Sequence, residues 1–333
     1  MSNILILSQT DIDKLLSQGD AQVANQVVDL MQTTFEKFTQ GQTNEQLALS
    51  AQSPQRISVS TDSHKVLFMP SRLDTTTSIK IVSVPTKEGL SGLPATILVL
   101  DENTGSVQAV MNAGALTAVR TAAGSGLATR LYANPESKNL VVFGAGAQGR
   151  SHVDMMIAVR PSLERIAIWN RGQARRLDLI QELQQAYPTR TFVSANEELE
   201  SEVQKADIVC TCTNATEPVL FGTWLKEGAH LNCVGSYRMD MHEVDTETIK
   251  RAEVIVVDSI EACAHEAGEL VKSSKPQDWL EMGNIFLKKI DTKQDVSKIT
   301  LFKSVGISVQ DSAISGLMVT RAKEEGLGNT VPF

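Results

Sequence analysis

The spacing of hydrophobic residues changes along the chain, and each spacing predicts a different kind of element. The first forty residues have apolar positions at helical intervals, which predict two helices with Thr10 and Asp20 as N-caps. Between residues 56 and 111, turn residues separate short apolar runs, a pattern that predicts an antiparallel meander of strands. A long helix is expected from Thr117 to Tyr132. The predicted strands of the meander are 56–60, 65–69, 78–84, 95–100 and 106–111.

Strand-like apolar runs alternate with helical segments between residues 140 and 304. Such alternation predicts an α/β fold with a doubly wound parallel sheet, a Rossmann domain. A last helix is expected at about 309–325, and we expect it to return and cover the meander. The predicted domains are therefore an α+β domain, residues 1–120 plus 305–333, and an inserted Rossmann domain, residues 121–304. The further predicted strands of the Rossmann domain are 165–169, 206–210, 229–234 and 253–258, and its predicted helices are 173–187, 198–204, 246–251 and 259–267.

The apolar strand at residues 140–143 leads into a glycine-rich turn of the G-x-G-x-x-G type. Gly144 allows a sharp turn, Gly146 leaves room for a pyrophosphate beside bare backbone, and Gly149 lets strand and helix pack closely. The helix expected from Ala147 to Val159 presents N–H groups at its first residues, Ala147 and Gln148, to the phosphates. The segment predicts a dinucleotide-binding βαβ unit.

The end of the second strand of this unit indicates which nicotinamide cofactor is bound. An NAD site usually has an acidic residue here, whose carboxylate accepts hydrogen bonds from the ribose. This chain instead has Asn170 and Arg171, with Arg175 one helical turn further on. The two arginines fit a 2′-phosphate and favour NADPH over NADH. The alternative is that they are solvated charges at the start of a helix.

Composition excludes several classes of protein. The chain has 333 residues, of which 42% are hydrophobic and 21% charged, and its net charge of −8 argues against a general nucleic-acid binder. No apolar run approaches the ~20 residues needed to span a bilayer, and the N-terminus lacks the basic start of a signal peptide, so a cytoplasmic protein is expected. The four cysteines and five histidines show no metal-ligand spacing, and no metal is expected.

Several further motifs resemble the ornithine cyclodeaminase/mu-crystallin family over about residues 50–320. The resemblance implies a substrate-binding and dimerisation domain built from both chain ends, an NAD(P)-binding Rossmann domain between them, and a homodimer. The motifs are Met111–Ala123, Ile79-Lys80, Asn232-Cys-Val-Gly-Ser236, Val257-Asp258 and Leu301-Phe-Lys-Ser-Val-Gly306.

The resemblance also implies that basic residues bind the α-carboxylate of an amino or imino acid. By motif these are Arg120, Lys80 and Arg56. A bidentate arginine orients a planar carboxylate, and a lysine adds a point charge. Lys80 interrupts an apolar strand and Arg120 lies among small residues, so a substrate anion could be the partner that a buried charge needs. The alternative places Arg120 on a helix surface and Lys80 on an edge strand.

The same resemblance places other residues beside the cofactor. They follow predicted strands of the Rossmann domain, where many such enzymes approach the nicotinamide. These cofactor-proximal residues are Thr213, Asn214, Val234, Ser304 and Gly306.

One departure from the family pattern bears on the reaction. In true ornithine cyclodeaminases, Val-Gly-Gly is followed by an aspartate that handles the side-chain amine, whereas Val234-Gly-Ser236 is followed here by Tyr237. The chain therefore resembles the ketimine reductase branch, which implies an NADPH-dependent reductase that transfers hydride to the C=N carbon of a small imino acid. Lys80, Arg120 and Tyr237 are the implied catalytic residues.

Alternatives remain at this point. Tyr237 is a candidate proton donor, with ordered water or Lys80 as rivals, or it is only a wall of the pocket. The other functions are an amino-acid or opine-type dehydrogenase, an ornithine cyclodeaminase-type lyase, and a protein that binds NADPH and a small ligand without turnover.

Overall fold

The computed structural model describes residues 3–17, 19–87, 90, 92–292, 295 and 297–333. The chain divides into two compact units: unit 1 is residues 1–120 with 307–333, and unit 2 is residues 121–306. The strands are β1 Asn3–Leu7, β2 Ala51–Gln52, β3 Ile57–Ser60, β4 His64–Leu73, β5 Thr76–Pro85, β6 Ala95–Leu100, β7 Val107–Asn112, β8 Asn139–Phe143, β9 Arg165–Trp169, β10 Thr191–Ser194, β11 Ile208–Thr211, β12 His230–Cys233, β13 Val254–Val257, β14 Leu280–Glu281, β15 Thr300–Lys303 and β16 Asn329–Pro332. The helices are α1 Gln9–Leu16, α2 Ala21–Thr43, α3 Gly114–Tyr132, α4 Ala147–Val159, α5 Gln173–Ala186, α6 Leu199–Lys205, α7 Thr246–Arg251, α8 Ile260–Glu266, α9 Gly268–Ser273, α10 Met282–Leu287 and α11 Val309–Glu325.

Unit 1 is built on one sheet with the strand order β16-β1-β7-β6-β5-β4-β2, and β3 also pairs with β4. Strands β3 to β7 pair antiparallel with their neighbours in sequence, so the predicted meander is confirmed. Because side chains alternate along a strand, Ser78, Lys80 and Val82 share the buried face of β5. This face therefore carries two buried polar residues, Ser78 and Lys80.

Helix α11 returns from the end of the chain and packs against β4, β5 and α2, as the sequence predicts. The helix approaches β5 closely, since a Cβ atom at Gly316 would lie 2.8 Å from Thr76 Oγ1. Its apolar residues Ile314 and Met318 are fully buried. The first turn of α11 is thereby brought over the centre of the sheet.

The prediction that the first forty residues are helical is wrong at the start of the chain. Residues Asn3–Leu7 form β1, which pairs in parallel with β7 and antiparallel with β16. Strand pairing with distant segments fixes these residues, because tertiary context overrides the propensity of a short apolar run. Residues 1, 2 and 18, also predicted to be helical, lie outside the described residues.

The N-cap predicted for the first helix is also wrong. Ser8, and not Thr10, caps α1: Ser8 Oγ accepts a hydrogen bond from the Asp11 N–H at 3.3 Å, and the Asp11 carboxylate accepts one from the Ser8 N–H at 2.9 Å. This reciprocal capping box begins the helix two residues earlier than predicted. The predicted cap Asp20 is confirmed, since its Oδ1 accepts from Gln22 N–H at 2.7 Å.

Unit 2 contains a sheet with the order β10-β9-β8-β11-β12-β15-β13-β14. Every pairing among these strands is parallel, and the predicted doubly wound α/β fold is confirmed. The predicted strands and helices of this unit occur within two residues of their predicted bounds. Strand order reverses between β8 and β11, and in open α/β sheets ligands bind at the carboxyl ends of strands at such a point.

Among the described residues, no helix has both the length and the apolar character required to cross a membrane.

Candidate functional site

The glycine-rich turn between β8 and α4 has the shape that a pyrophosphate requires. Gly144 has a φ of +110°, and a Cβ atom there would lie 2.6 Å from Cys212 O. A Cβ atom at Gly149 would overlap Gly144 O. At Gly146, by contrast, a Cβ atom would have no neighbour within 4 Å among the described residues. Glycine is therefore required for packing at the two outer positions, and the central one is open to a ligand.

The start of α4 is left available to an anion. Gly146 is its N-cap, and no side chain caps the helix. Its first N–H groups, at Ala147 and Gln148, can therefore donate to a phosphate, with the positive end of the helix dipole behind them. Gln148 Oε1 is buried and has no hydrogen-bond partner in the described part of the chain, so it can accept from a ligand or water.

Asn170 ties this turn to the end of β9. Its Oδ1 accepts from Ala145 N–H at 3.2 Å, and its Nδ2 donates to Gly172 O at 3.0 Å. Beside it, the side chains of Arg171 and Arg175 are exposed and make no hydrogen bond or ion pair with any described residue. The next arginine behaves differently, because Arg176 is buried and donates to Asn170 O at 3.0 Å. Two arginine side chains at the end of β9 are thus without a partner among the described residues.

The residues predicted to lie near the nicotinamide follow β11, β12 and β15, which are neighbours in the sheet. The N–H and Oγ1 of Thr213 both donate to Glu243 Oε1, at 2.6 and 2.8 Å. Val234 N–H donates to Thr211 O at 3.0 Å, and the side chain of Asn214 is exposed. The backbone N–H and the hydroxyl of Thr213 are therefore both used in hydrogen bonds to Glu243 and are not free to bind a ligand.

Asp258 organises the segment after β15. Its Oδ2 accepts from Ser304 Oγ at 2.7 Å and from Gly306 N–H at 2.8 Å. Gly306 has a φ of +82°. The carboxylate thus fixes the segment in which unit 2 ends.

Lys80 and Arg120 meet at one carboxylate in unit 1. Lys80 Nζ lies 2.8 Å from Asp311 Oδ2 and donates to Oδ1 at 3.0 Å, while Arg120 Nε donates to Oδ1 at 3.1 Å. Gln310 Oε1 accepts from Arg120 Nη1 at 3.0 Å. The side chains of all three charged residues are at most 4% exposed. Strand β5, helix α3 and the first turn of α11 each supply one of them, and we call them the buried charge cluster.

Sequence reasoning missed Asp311. Read locally, it is an acidic residue in the first turn of a helix, where the helix dipole favours one at any surface position. Its partners lie 191 and 231 residues away in the sequence. Only the return of α11 to the sheet reveals their contact.

The cluster holds two cations against one carboxylate. Burial, together with repulsion from Arg120 and Arg56, lowers the pKa of Lys80 to about 7, although Asp311 opposes this shift. Arg56 is half-buried ahead of β3 and acts on Lys80 through its charge. An anion bound here would neutralise the excess positive charge.

Tyr237 lies in unit 2, partly buried, where it packs against the apolar core of that unit. The guanidinium carbon of Arg238 lies 5.9 Å from the centre of its ring.

Across the described ranges, no group of three or more histidine, cysteine, aspartate or glutamate side chains is arranged to hold a metal ion.

The chain matches the model of the Ornithine cyclodeaminase/mu-crystallin family over residues 9–326. It is 32% identical over 285 residues to the Delta(1)-pyrroline-2-carboxylate reductase of Bacillus cereus, which covers 82% of this chain and 86% of that protein. It is 35% identical over 224 residues to the ketimine reductase mu-crystallin of Mus musculus, covering 67% and 68% of the two chains. The solved structure of Thermococcus litoralis Delta(1)-pyrroline-2-carboxylate reductase in complex with NADH and L-proline aligns with a TM-score of 0.88 at 29% identity, covering 98% of this chain and 100% of that one.

Proposed function

The chain belongs to the ornithine cyclodeaminase/mu-crystallin family, and from this premise we propose that it is a pyridine-nucleotide-dependent reductase of small imino acids. The bond reduced is a C=N bond whose carbon carries a carboxylate. The observation that carries the proposal is the pair of buried cations, Lys80 and Arg120, that share one carboxylate, Asp311. Similarity to reductases of this substrate class supports it.

In this proposal unit 1 binds the carboxylate of the substrate through the buried charge cluster. Asp311 holds the cations of Lys80 and Arg120 in fixed positions, so little side-chain entropy is lost when the anion binds. A substrate carboxylate then balances the second positive charge. Fixing the carboxylate also fixes the adjacent C=N bond, because the two groups are conjugated and coplanar in such acids.

Unit 2 binds the cofactor through its glycine-rich turn, and the bound reduced nicotinamide supplies a hydride to the C=N carbon. The open backbone at Gly146 and the uncapped start of α4 fit the pyrophosphate. We propose NADPH as the preferred cofactor, because Arg171 and Arg175 are exposed and unpaired within the described residues. The Thermococcus litoralis structure contains NADH, so the two cofactors must be compared directly.

Reduction also requires a proton at the imine nitrogen. Lys80 Nζ has a pKa of about 7 in the ligand-free protein, and a substrate carboxylate bound beside it favours the protonated form. The ammonium group can then donate its proton to the imine nitrogen, which becomes more basic as the carbon accepts the hydride. Asp311 keeps Lys80 Nζ in place. The Tyr237 hydroxyl and an ordered water are the alternative donors. We propose Lys80 as the donor because its burial brings its pKa into the neutral range in which an acid catalyst works best.

We propose that the protein is a homodimer joined through unit 1. Strand β3 pairs only on one side among the described strands, and all four of its residues are exposed. Ile57 and Val59 are 64% and 53% exposed, and nearby in sequence Leu49 is 72% exposed. An apolar edge strand of this kind is suited to pairing with a second chain.

Analytical ultracentrifugation tests the proposed dimer. The unaltered protein should sediment as a dimer, and Ile57→Lys combined with Val59→Lys should shift it toward the monomer. A protein that is monomeric before mutation would refute this proposal.

The central test is a substrate panel with both reduced cofactors. Δ1-pyrroline-2-carboxylate and Δ1-piperideine-2-carboxylate should oxidise NADPH with formation of the corresponding cyclic amino acids. The reaction is followed by the loss of the near-ultraviolet absorbance of the reduced nicotinamide. Faster turnover of pyruvate with amines would instead indicate a dehydrogenase or opine-type enzyme. Proline and ammonia from ornithine would indicate a lyase. Tight NADPH binding without turnover of any substrate would indicate a binding protein.

A further inference from the structure

Unit 2 contains a second group of buried charges, which the proposed reaction does not use directly. Glu243, Glu269 and Lys303 are each at most 2% exposed. Lys303 Nζ lies 2.8 Å from Glu269 Oε1 and also donates to Ser236 O at 2.8 Å and to Ser236 Oγ. Ser236 Oγ in turn donates to Glu269 Oε1 at 2.5 Å. One lysine thus neutralises one of two buried carboxylates.

Glu243, the other carboxylate, is held by hydrogen bonds from two strand ends. Its Oε1 accepts from the N–H and Oγ1 of Thr213, and its Oε2 accepts from Thr211 Oγ1 at 2.9 Å and from Gly235 N–H at 2.7 Å. All four partners are donors, an arrangement that suits an ionised carboxylate. Glu269 fixes Glu243 from behind, since its Oε2 accepts from the Glu243 N–H at 2.7 Å.

Burial and the charge of Glu269 raise the pKa of Glu243, while Lys303 and the Thr213 donors act to lower it. Keeping this carboxylate ionised in the interior is therefore energetically unfavourable, and the protein offsets this with two hydrogen-bond donors to each of its oxygens. The backbone is shaped around it as well, because a Cβ atom at Gly235 would overlap Glu243 Oε1 and Thr213 O. These contacts indicate that Glu243 fixes the loops that follow β11 and β12.

The loop that follows β11 abuts the glycine-rich turn, and the loop that follows β12 adjoins the end of β11. Thr213 directly follows Cys212, whose N–H donates to Phe143 O at 2.8 Å and whose carbonyl oxygen limits the space at Gly144. Gly235 lies one residue beyond the Val234 N–H that donates to Thr211 O. The carboxylate of Glu243 joins the ends of β11 and β12 at the edge of the sheet where the turn lies.

We propose that Glu243 is a positioning residue for the nicotinamide half of the cofactor. It holds the backbone at Thr213 and Gly235 in the conformation that this half requires, and it leaves the pyrophosphate and adenosine half to the glycine-rich turn. The inference rests on the proposed function, because it assumes a pyridine nucleotide in unit 2.

The test compares two ligands on each variant by fluorescence or calorimetric titration. NADPH has the nicotinamide, and 2′-phospho-ADP-ribose lacks it. Glu243→Gln puts an amide donor opposite N–H and hydroxyl donors, and it should weaken NADPH binding by about tenfold or more, as the loss of one hydrogen bond to a charged acceptor does. Binding of 2′-phospho-ADP-ribose should stay within about twofold of the unaltered protein.

Two further variants keep the test decisive. Thr211→Val removes one donor from a fully buried strand position and should shift NADPH binding in the same direction by less, even if Glu243→Gln fails to fold. Glu202→Gln is the matched control, since Glu202 is a buried carboxylate of unit 2 that pairs with Arg165 at the opposite end of the strands. It should change neither affinity.

Equal weakening of both ligands, or no change in either, in Glu243→Gln and Thr211→Val would overturn the inference. A weakening of NADPH alone that Glu202→Gln also produces would overturn it too, because the effect would then follow from any lost carboxylate. If the unaltered protein binds neither ligand, the cofactor assignment itself is wrong, and the inference falls with it.

Discussion

Lys80 titrates near neutral pH, so the proposed binding of a substrate carboxylate beside it should depend on pH. Burial and the neighbouring arginines lower the pKa of Lys80 from 10.5 to about 7, although Asp311 opposes them. The charged form is therefore disfavoured by roughly 5 kcal/mol, at about 1.4 kcal/mol for each pKa unit. About nine in ten Lys80 side chains carry a charge at pH ~6, and about one in a hundred do at pH ~9.

The probe for this charge should be a planar carboxylate that does not itself titrate in this range, such as pyrrole-2-carboxylate. A bound anion stabilises the ammonium group, so affinity should fall by up to about tenfold for each pH unit above the pKa. The complex should also take up a proton when it forms at pH ~8. Isothermal titration calorimetry in two buffers of different ionisation enthalpy measures the dissociation constant and the proton count together.

Lys80→Arg is the matched control, because arginine keeps its charge throughout this range. The variant should bind the probe with little pH dependence and no proton uptake. A dissociation constant in the unaltered protein that does not change between pH ~6 and ~9 would refute the assignment of Lys80 to the carboxylate. A Lys80→Arg variant with the original slope would refute it equally.

The same titration affects stability with the opposite sign. Between about pH 7 and 10.5, the unfolded chain holds the Lys80 proton and the folded, ligand-free protein does not. The contribution of Lys80 to the free energy of unfolding therefore rises with pH in this window. Urea unfolding at the two ends of the window should show a rise that is smaller in Lys80→Met, which has no proton to lose.

Four further substitutions test the buried ion pairs of Asp311 and the proposed cofactor site. Asp311→Asn leaves two buried cations without their carboxylate and should lower the free energy of unfolding by about 3–5 kcal/mol in urea; a loss below about 1 kcal/mol would contradict the contacts described. Arg171→Ala should weaken NADPH binding by about 1.5–3 kcal/mol and leave NADH binding unchanged in fluorescence titrations, and an unaltered NADPH affinity would remove Arg171 from the site. Gly149→Ala, which drives a Cβ atom onto Gly144 O, should lower the melting temperature and cofactor affinity together. Gly146→Ala should weaken only the cofactor, and equal melting losses in the two variants would show that the turn is not shaped as described.

Much of the fold followed from local patterns because those patterns act over a few residues. The glycine positions from Gly144 to Gly149, the Asp20 cap and the alternating strands of the meander each depend on neighbours in the sequence. The end of β9 is similar, since the absence of a carboxylate after Trp169 is visible in the sequence. Such signals survive folding when tertiary contacts agree with them.

Other features were decided by contacts between distant segments. Strand β1 exists because β7 and β16 pair with it, and nothing within Asn3–Leu7 distinguishes it from the start of a helix. Sequence patterns indicated Lys80 and Arg120 but gave no sign of Asp311, the carboxylate that holds them.

The sequence by itself thus determined the order of the meander strands and of most Rossmann-domain elements, the glycine-rich turn and the chemical types of the candidate residues. Only the tertiary structure decided which carboxylate faces which cation, and therefore the net charge of the buried charge cluster. It also decided that Glu243 is buried. The physical reason is that helix and strand signals depend on residues a few positions apart. The energy of a buried charge depends on partners brought close by folding.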